Sequence, residues 1–305
     1  MKSFIITVDT EGDNLWAWKN GQPITTRNVN YIPRFQELCE KYNFIPTYLT
    51  NYEMAMDSMW VNYSCSKAQM GLCEIGMHIH AWNSPPLVEL ENNYGGNAYI
   101  SEYSEHIIEE KIAFLGNLLR EKYQLDITSC RSGRWATNEF YFKALNKNGF
   151  IVDCSITPEL DLSRIPGRSV NCGNSYLNER KIPSIIYGNV LEVPMTTRRI
   201  RHIGGGSIKH KVKTAILGEE LWLRPYRKSL DEMILLAKHV EKEGSDYLEF
   251  MIHSSELMPG GSPYFTTKDD INNMYDIVER FFAFVNENGY CGIGLSDYAK
   301  FKKVN

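Results

Sequence analysis

Phe4-Ile5-Ile6-Thr7-Val8-Asp9-Thr10-Glu11 is an apolar, largely β-branched run that ends in two carboxylates. Phe4–Val8 reads as a buried strand, and the acids mark where the chain leaves it. The same kind of junction recurs in Met77-His78-Ile79-His80, Cys130-Arg131-Ser132-Gly133-Arg134-Trp135, Val152-Asp153-Cys154-Ser155 and Met251-Ile252-His253-Ser254. In a (β/α) barrel the strand C-terminal ends share one face, so five distant segments would deliver their polar side chains to one rim.

The stretches between these junctions support that arrangement. Val29–Tyr42 has Ile32, Phe35 and Leu38 on one helical face, and Ser104–Tyr123 carries Ile107, Ile108, Ile112, Leu115, Leu118 and Leu119 at helical spacing. A helix runs from Asn138 to Gly149, another opens on the capping box Ser229-Leu230-Asp231-Glu232 and stops at Gly244, and a last one covers Lys268–Asn286. Strands are expected at Ile45–Leu49, Cys73–Ile79, Ile127–Cys130, Phe150–Val152, Val190–Met195, Tyr247–Ile252 and Gly292–Leu295, while Ser64–Leu72 has no clear pattern. Strands alternating with helices make an α/β chain with parallel strands. A doubly wound sheet is the weaker alternative, because no Gly-rich phosphate turn follows the first strand. Thr157–Tyr187 and Thr196–Arg227 are rich in Gly, Pro, Arg and Asn and read as long loop insertions at the rim. Residues 1–305 are thus expected to form one domain.

The bulk properties narrow the partners. Among 305 residues the net charge is −4, so no global basic field invites nucleic acid or an anionic membrane. The local basic run Thr197–His202, followed by Lys209, Lys211 and Lys213, reads as a solvated loop face or, more sharply, as a contact to phosphate on an activated sugar. No secretory signal pattern opens the sequence and no stretch reaches the length of a membrane span. Seven cysteines, none spaced C-x-x-C, fit reduced thiols. A cytoplasmic location is the expectation.

His78-x-His80 carries the metal signal, since alternate residues of an extended chain point to one side and both imidazoles can reach one ion. Zinc suits two histidines and a carboxylate with a position left for water. Asp9 and Glu11 share the same spacing; one can bind the ion while the other takes a proton from water, or both can simply cap a turn. Arg131 can orient such a base or form a structural ion pair. His253 ends an apolar run and reads either as a general acid or as a core histidine bonded to backbone. Trp16, Trp18, Trp82 and Trp135 lie near the junctions, where aromatic faces suit sugar rings.

This ordered set resembles the polysaccharide deacetylase family (carbohydrate esterase family four, the NodB-homology domain). Thr7-Val8-Asp9-Thr10-Glu11 is similar to its strand ending in paired acids, Glu74-Ile75-Gly76-Met77-His78-Ile79-His80 to its histidine motif, Cys130-Arg131-Ser132-Gly133 to its arginine motif and Phe250-Met251-Ile252-His253 to its late histidine strand. The resemblance implies a distorted (β/α)7 TIM-like barrel and a divalent metal, zinc above all. It also implies hydrolysis of an N- or O-linked acetyl group on a saccharide. Asp9 would be the base, Arg131 its tether and His253 the acid. Glu11, His78 and His80 would hold the metal, with Trp82 and Trp135 against the substrate. Two departures stand out: Asp-Thr-Glu replaces adjacent acids, and His-x-His replaces His-x-x-x-His, with Trp82 where the second histidine would stand.

The substrate is expected to be a saccharide, free or carried on a nucleotide or lipid, in surface-polysaccharide biosynthesis. A non-catalytic carbohydrate-binding relative is the rival from another class. An amidohydrolase-type enzyme is the rival among metal-dependent amide hydrolases, but there His-x-His belongs to the first strand.

Overall fold

The computed structural model describes residues 2–19, 21–91, 96–169, 173–203, 207–225 and 230–304. Its first half comprises β1 (Lys2–Thr10), α1 (Ile32–Lys41), β2 (Pro46–Thr50), α2 (Tyr52–Met56), α3 (Ser58–Gln69), β3 (Glu74–Ile79), α4 (Glu105–Tyr123), β4 (Ser129–Ser132) and α5 (Glu139–Lys147). Then come β5 (Val152–Asp153), β6 (Ser184–Tyr187), β7 (Val190–Glu192), β8 (Thr197–Ile200), α6 (Ile208–Leu217) and β9 (Glu219–Trp222). The chain closes with α7 (Leu230–Lys242), β10 (Tyr247–His253), α8 (Lys268–Glu287), β11 (Tyr290–Gly292) and α9 (Leu295–Val304).

The main sheet runs β10-β1-β2-β3-β4-β5-β7 in parallel, with β6 antiparallel at the edge. β11 pairs with Lys2–Phe4 of β1. Since β10 holds one flank of β1 from Ser3 to Asp9, β11 must share the other flank with β2, whose pairing begins at Ile6. Register aligns Asp9 with His253 across β1 and β10, and His78 with Arg131 across β3 and β4. The junction residues therefore reach one end of the sheet at nearly one level.

The fold is α/β as expected, but the sheet is a curled, open one; no strand ladder closes a barrel among the described residues. β7 stops at Glu192, short of the expected Met195, and Pro194 has no N–H to extend a ladder. Single bonds span the gap instead: Glu249 N donates to Thr196 Oγ1 at 2.8 Å, Met251 N to Leu223 O at 3.1 Å and Leu223 N to Thr196 O at 3.0 Å.

Helices cover the outer face. The buried face of α8 brings Phe281 and Phe282 against Phe4 and Phe250 of the sheet, with ring centroids 5.5 to 6.4 Å apart. Each such side chain contributes about 1.5–3 kcal/mol by leaving water.

Some local expectations are corrected. Much of the unpatterned Ser64–Leu72 belongs to α3, which is capped by Asp57 and buries only Trp60 and Ser64, too few residues to print a periodicity. The last strand ends at Gly292, and Leu295 begins α9 instead. The Thr196–Arg227 insertion carries β8, α6 and β9 rather than loop alone. The capping residue Ser229 lies outside the described residues, as does Cys172. Cys39, Cys73, Cys130 and Cys154 are free and buried, whereas Cys291 is exposed. Among the described residues no helix is long and apolar enough to cross a membrane.

Candidate metal and active site

β1 ends on Asp9-Thr10, with Glu11 next in the chain, and β3 ends just before His80, so strand geometry alone brings three potential ligands together. Glu11, His78 and His80 are all buried, and each offers an atom within 4.8 Å of the others. Glu11 Oε2 lies 3.2 Å from His80 Nε2 and 3.6 Å from His78 Nε2.

The tautomer of His78 follows from its partner. Its Nδ1 is 3.1 Å from the carbonyl oxygen of Arg131, which can only accept, so Nδ1 carries the hydrogen and Nε2 keeps its lone pair for the cluster. His80 is placed differently. Its Nδ1 is buried with no hydrogen-bond partner, and its ring stacks on Trp82 at 4.0 Å. Packing, in place of an outer hydrogen bond, sets this ring. Gly133 adds to that packing: a Cβ there would lie 2.1 Å from His80 Cδ2.

Asp9 stands beside the cluster. Arg131 Nη1 donates to Asp9 Oδ1 at 2.5 Å, while Nη2 donates to Glu249 Oε1 at 2.5 Å and to Thr7 Oγ1 at 2.7 Å. Arg131 Nε donates to Cys154 O at 3.1 Å. Burial would raise the Asp9 pKa, but Arg131, His78 and His253 outweigh it and hold the carboxyl below its usual range. Burial pushes Glu249 up to about 7 even with Arg131 beside it, because one guanidinium is divided between two carboxylates. Glu11 is likewise held low against burial by His78 and His80. Burial lowers the pKa of His80, whereas in His78 Asp9 and Glu11 overcome burial and raise it.

His253 faces Asp9 from the other side, its Nε2 3.9 Å from Asp9 Oδ2. Glu256 accepts from the backbone N of His253 at 2.9 Å and lies 3.1 Å from its Nδ1. Arg224 Nη2 donates to both oxygens of Glu256, at 2.8 and 2.9 Å. A core histidine bonded only to backbone is therefore not what stands here.

These groups open into a cavity of about 460 Å³, lined also by Trp16, Trp82, Tyr99, Arg134, Trp135, Trp222, Arg224 and Tyr264. The size falls within the range of small-ligand sites. Trp18 bonds to Gln22 O and does not line it. Arg134 and Trp135 both adopt positive φ, 57° and 60°, in the turn that carries Trp135 to the wall. The cluster containing Asp153 does not deliver that carboxylate to the rim. Asp153 is level with Cys130 in the sheet and accepts from Tyr141 of α5 at 2.7 Å, on the helix-covered side.

Arg224, Trp222, Tyr99 and Glu256 were not singled out by the sequence. Only Glu256 left a signal, three residues after His253 in capping-box spacing.

No family model and no curated protein matches the sequence. Solved structures do match. A Mycobacterium smegmatis protein assigned as a polysaccharide deacetylase aligns over 99% of this chain and 91% of its own, at 14% identity and TM-score 0.56. The Xyl-CE4 domain of a multidomain xylanase from the hindgut metagenome of Trinervitermes trinervoides aligns over 100% and 93%, at 10% identity and TM-score 0.49. The 4-alpha-glucanotransferase of Thermococcus litoralis aligns over 98% of this chain but 40% of its own, at 12% identity and TM-score 0.54. At 14% and 12% identity, the Mycobacterium smegmatis and Thermococcus litoralis matches show a likeness of fold alone.

Proposed function

We propose that this chain is a divergent member of the polysaccharide deacetylase family, a metal-dependent hydrolase that removes an N- or O-linked acetyl group from a saccharide. One observation carries the reading: a buried Glu11–His78–His80 triplet flanked by Asp9 and His253 at the mouth of an aromatic cavity. Its donor set fits a divalent cation. His78 Nε2 is free to donate its lone pair, Glu11 is ionised, and the buried carboxylates nearby outnumber the one arginine among them. Glu11, His78 and His80 would hold the ion, for which zinc is the chemically suited choice. When bound, it would supply Lewis acidity to the acetyl carbonyl and to water.

The chain's own groups supply the proton transfers. Asp9, kept ionised and oriented by Arg131, accepts the proton of the attacking water. His253, in its protonated form, donates from Nε2 to the departing amine or alkoxide as the carbon–heteroatom bond breaks. Glu256 fixes the His253 ring through Nδ1, with Nε2 on the cavity side. Trp82 and Trp135 offer faces for the sugar ring. The substrate class is a saccharide, free or carried on a nucleotide or lipid, and surface-polysaccharide biosynthesis is the setting that suits it.

Acetate release from N- and O-acetylated amino sugars, with and without chelator, tests the reading. Activity abolished by chelator, restored by zinc and reduced about 10²-fold or more in Asp9→Asn is the expected result. Sugar affinity without acetate release or stoichiometric metal would identify a non-catalytic binder instead.

A further inference from the structure

The insertion between β7 and β10 carries a surface that the catalytic reading leaves unused. Between Glu192 and Glu219 the sequence holds Arg198, Arg199, Arg201, Lys209, Lys211 and Lys213 and no Asp or Glu. In a chain of net charge −4 this is a sharp local reversal of sign. Arg198 and Arg199 are spent on Glu243 and Glu220. Lys209, Lys211 and Lys213 are exposed on α6 and have no acidic partner among the described residues.

The apolar residues of α6 are exposed as well. Ile208, Val212 and Ile216 are 81%, 52% and 61% exposed, and they recur every fourth residue, so they form one ridge along the helix. Thr214, on another side, is buried and anchors the helix to the protein. By helical spacing, Lys211 flanks the ridge on one side and Lys209 and Lys213 on the other. Ile203, just before the helix, is 80% exposed. A solvated loop face would place polar groups on this ridge. An apolar stripe edged by lysines is instead the pattern of a helix lying in a lipid–water interface, where apolar side chains enter the acyl boundary and lysines meet anionic headgroups.

We propose that α6 is an interfacial helix that seats this protein on an anionic bilayer surface. Charge selects the occupant, since an apolar partner alone leaves the lysines unmatched and a second copy brings the same positive face. From α6 the chain passes through Gly218, at φ +74°, into β9, whose Trp222 lines the cavity, as does Arg224 beyond it. The membrane-seated helix and the cavity wall thus belong to one insertion, which favours a saccharide carried on a lipid. That consequence rests on the proposed deacetylase activity; the docking does not.

Flotation of the full chain with vesicles of phosphatidylglycerol and phosphatidylcholine, against phosphatidylcholine alone, tests the docking. The chain is expected to float with the anionic vesicles, and less at high salt. Ile208→Asn/Val212→Asn/Ile216→Asn and Lys209→Gln/Lys211→Gln/Lys213→Gln should each lower the bound fraction about 10-fold, with melting temperature unchanged because every position is exposed. In a Val212→Trp variant, the added indole's emission should shift to the blue with anionic vesicles. No flotation, or equal flotation by the variants, would overturn the proposal. So would a dimer that the apolar triple variant dissociates in the absence of vesicle binding, which would assign the ridge to a second copy. Acetate release from a soluble acetyl sugar should be equal in wild type and variants, so failure of docking and failure of catalysis are read separately.

Discussion

Gly133→Ala is expected to weaken zinc binding at the proposed Glu11–His78–His80 site while sparing the fold. The added Cβ would lie 2.1 Å from His80 Cδ2, 2.9 Å from His80 Nε2 and 2.9 Å from Ile79 O. Carbon atoms settle at roughly 3.5–4.0 Å, so the His80 ring must retreat by about 1.4 Å or more. Trp82, stacked on it at 4.0 Å, limits where the ring can go. Ligand atoms tolerate about 0.2 Å, so His80 would leave the coordination sphere. Disturbing an outer contact of a ligand costs about 10–100-fold in affinity, and displacing the ligand itself belongs at the upper end. A 100-fold loss corresponds to about 2.7 kcal/mol. Competition with a chromophoric chelator measures the zinc affinity, and melting of the metal-free protein separates overpacking, about 1–3 kcal/mol, from the loss of ligation. His80→Ala should weaken zinc to a similar degree, and the double variant should add little, because both act on one ligand. Zinc affinity within about threefold of wild type in a folded Gly133→Ala protein would refute the ligand assignment of His80.

Arg131→Met removes the one cation between Asp9 and Glu249; it should lower stability by about 3–5 kcal/mol in urea unfolding, and a loss below about 1 kcal/mol would contradict the ion-pair account. Glu256 is held down to about 2 from 4.5, since Arg224 and His253 outweigh its burial. Its contribution is therefore complete above pH 4.5 and is lost as pH falls toward 2, so wild type should lose about 3 kcal/mol across that window that Glu256→Gln does not. Parallel stability curves for the two proteins would contradict this. Glu256→Gln should also reduce kcat more than KM, because Glu256 positions His253 without touching substrate. Trp135→Ala should instead raise KM, by about 10-fold, with a smaller change in kcat measured by acetate release.

The parts legible in the sequence were those written by local rules. Phe4–Val8 is β-branched or apolar throughout and Leu248–Ile252 is apolar apart from Glu249, which marks both as buried strands whose ends carry Asp9, Glu11 and His253 to the sheet's mouth. The spacing of His78 and His80 is a property of extended backbone and needed no partner to be read. Helices with strong apolar faces, such as α4 and α8, were found nearly to the residue. α3 was missed because it presents too little buried surface to leave a pattern.

What tertiary structure decided was which distant group answers each charge. Arg131 meets Asp9, Glu249 and Thr7 only because β4, β10 and β1 come together with a particular register. Asp153 looked like the other junction residues but turned to Tyr141, since it is level with Cys130, and both side chains meet Tyr141 on the side that α5 covers. Among the described residues the parallel ladder stops at Glu192, just before Pro194, and the insertion that bridges from there to β10 also builds a wall of the cavity and the exposed ridge of α6. By itself the sequence determined the parallel α/β alternation and the residue types at its rim, because hydrophobic period and strand direction are local. The packing of Gly133 on His80, the hold of Glu256 on His253 and the exposed ridge of α6 came only with the fold, because a buried charge or an uncovered apolar face is defined by neighbours far along the chain.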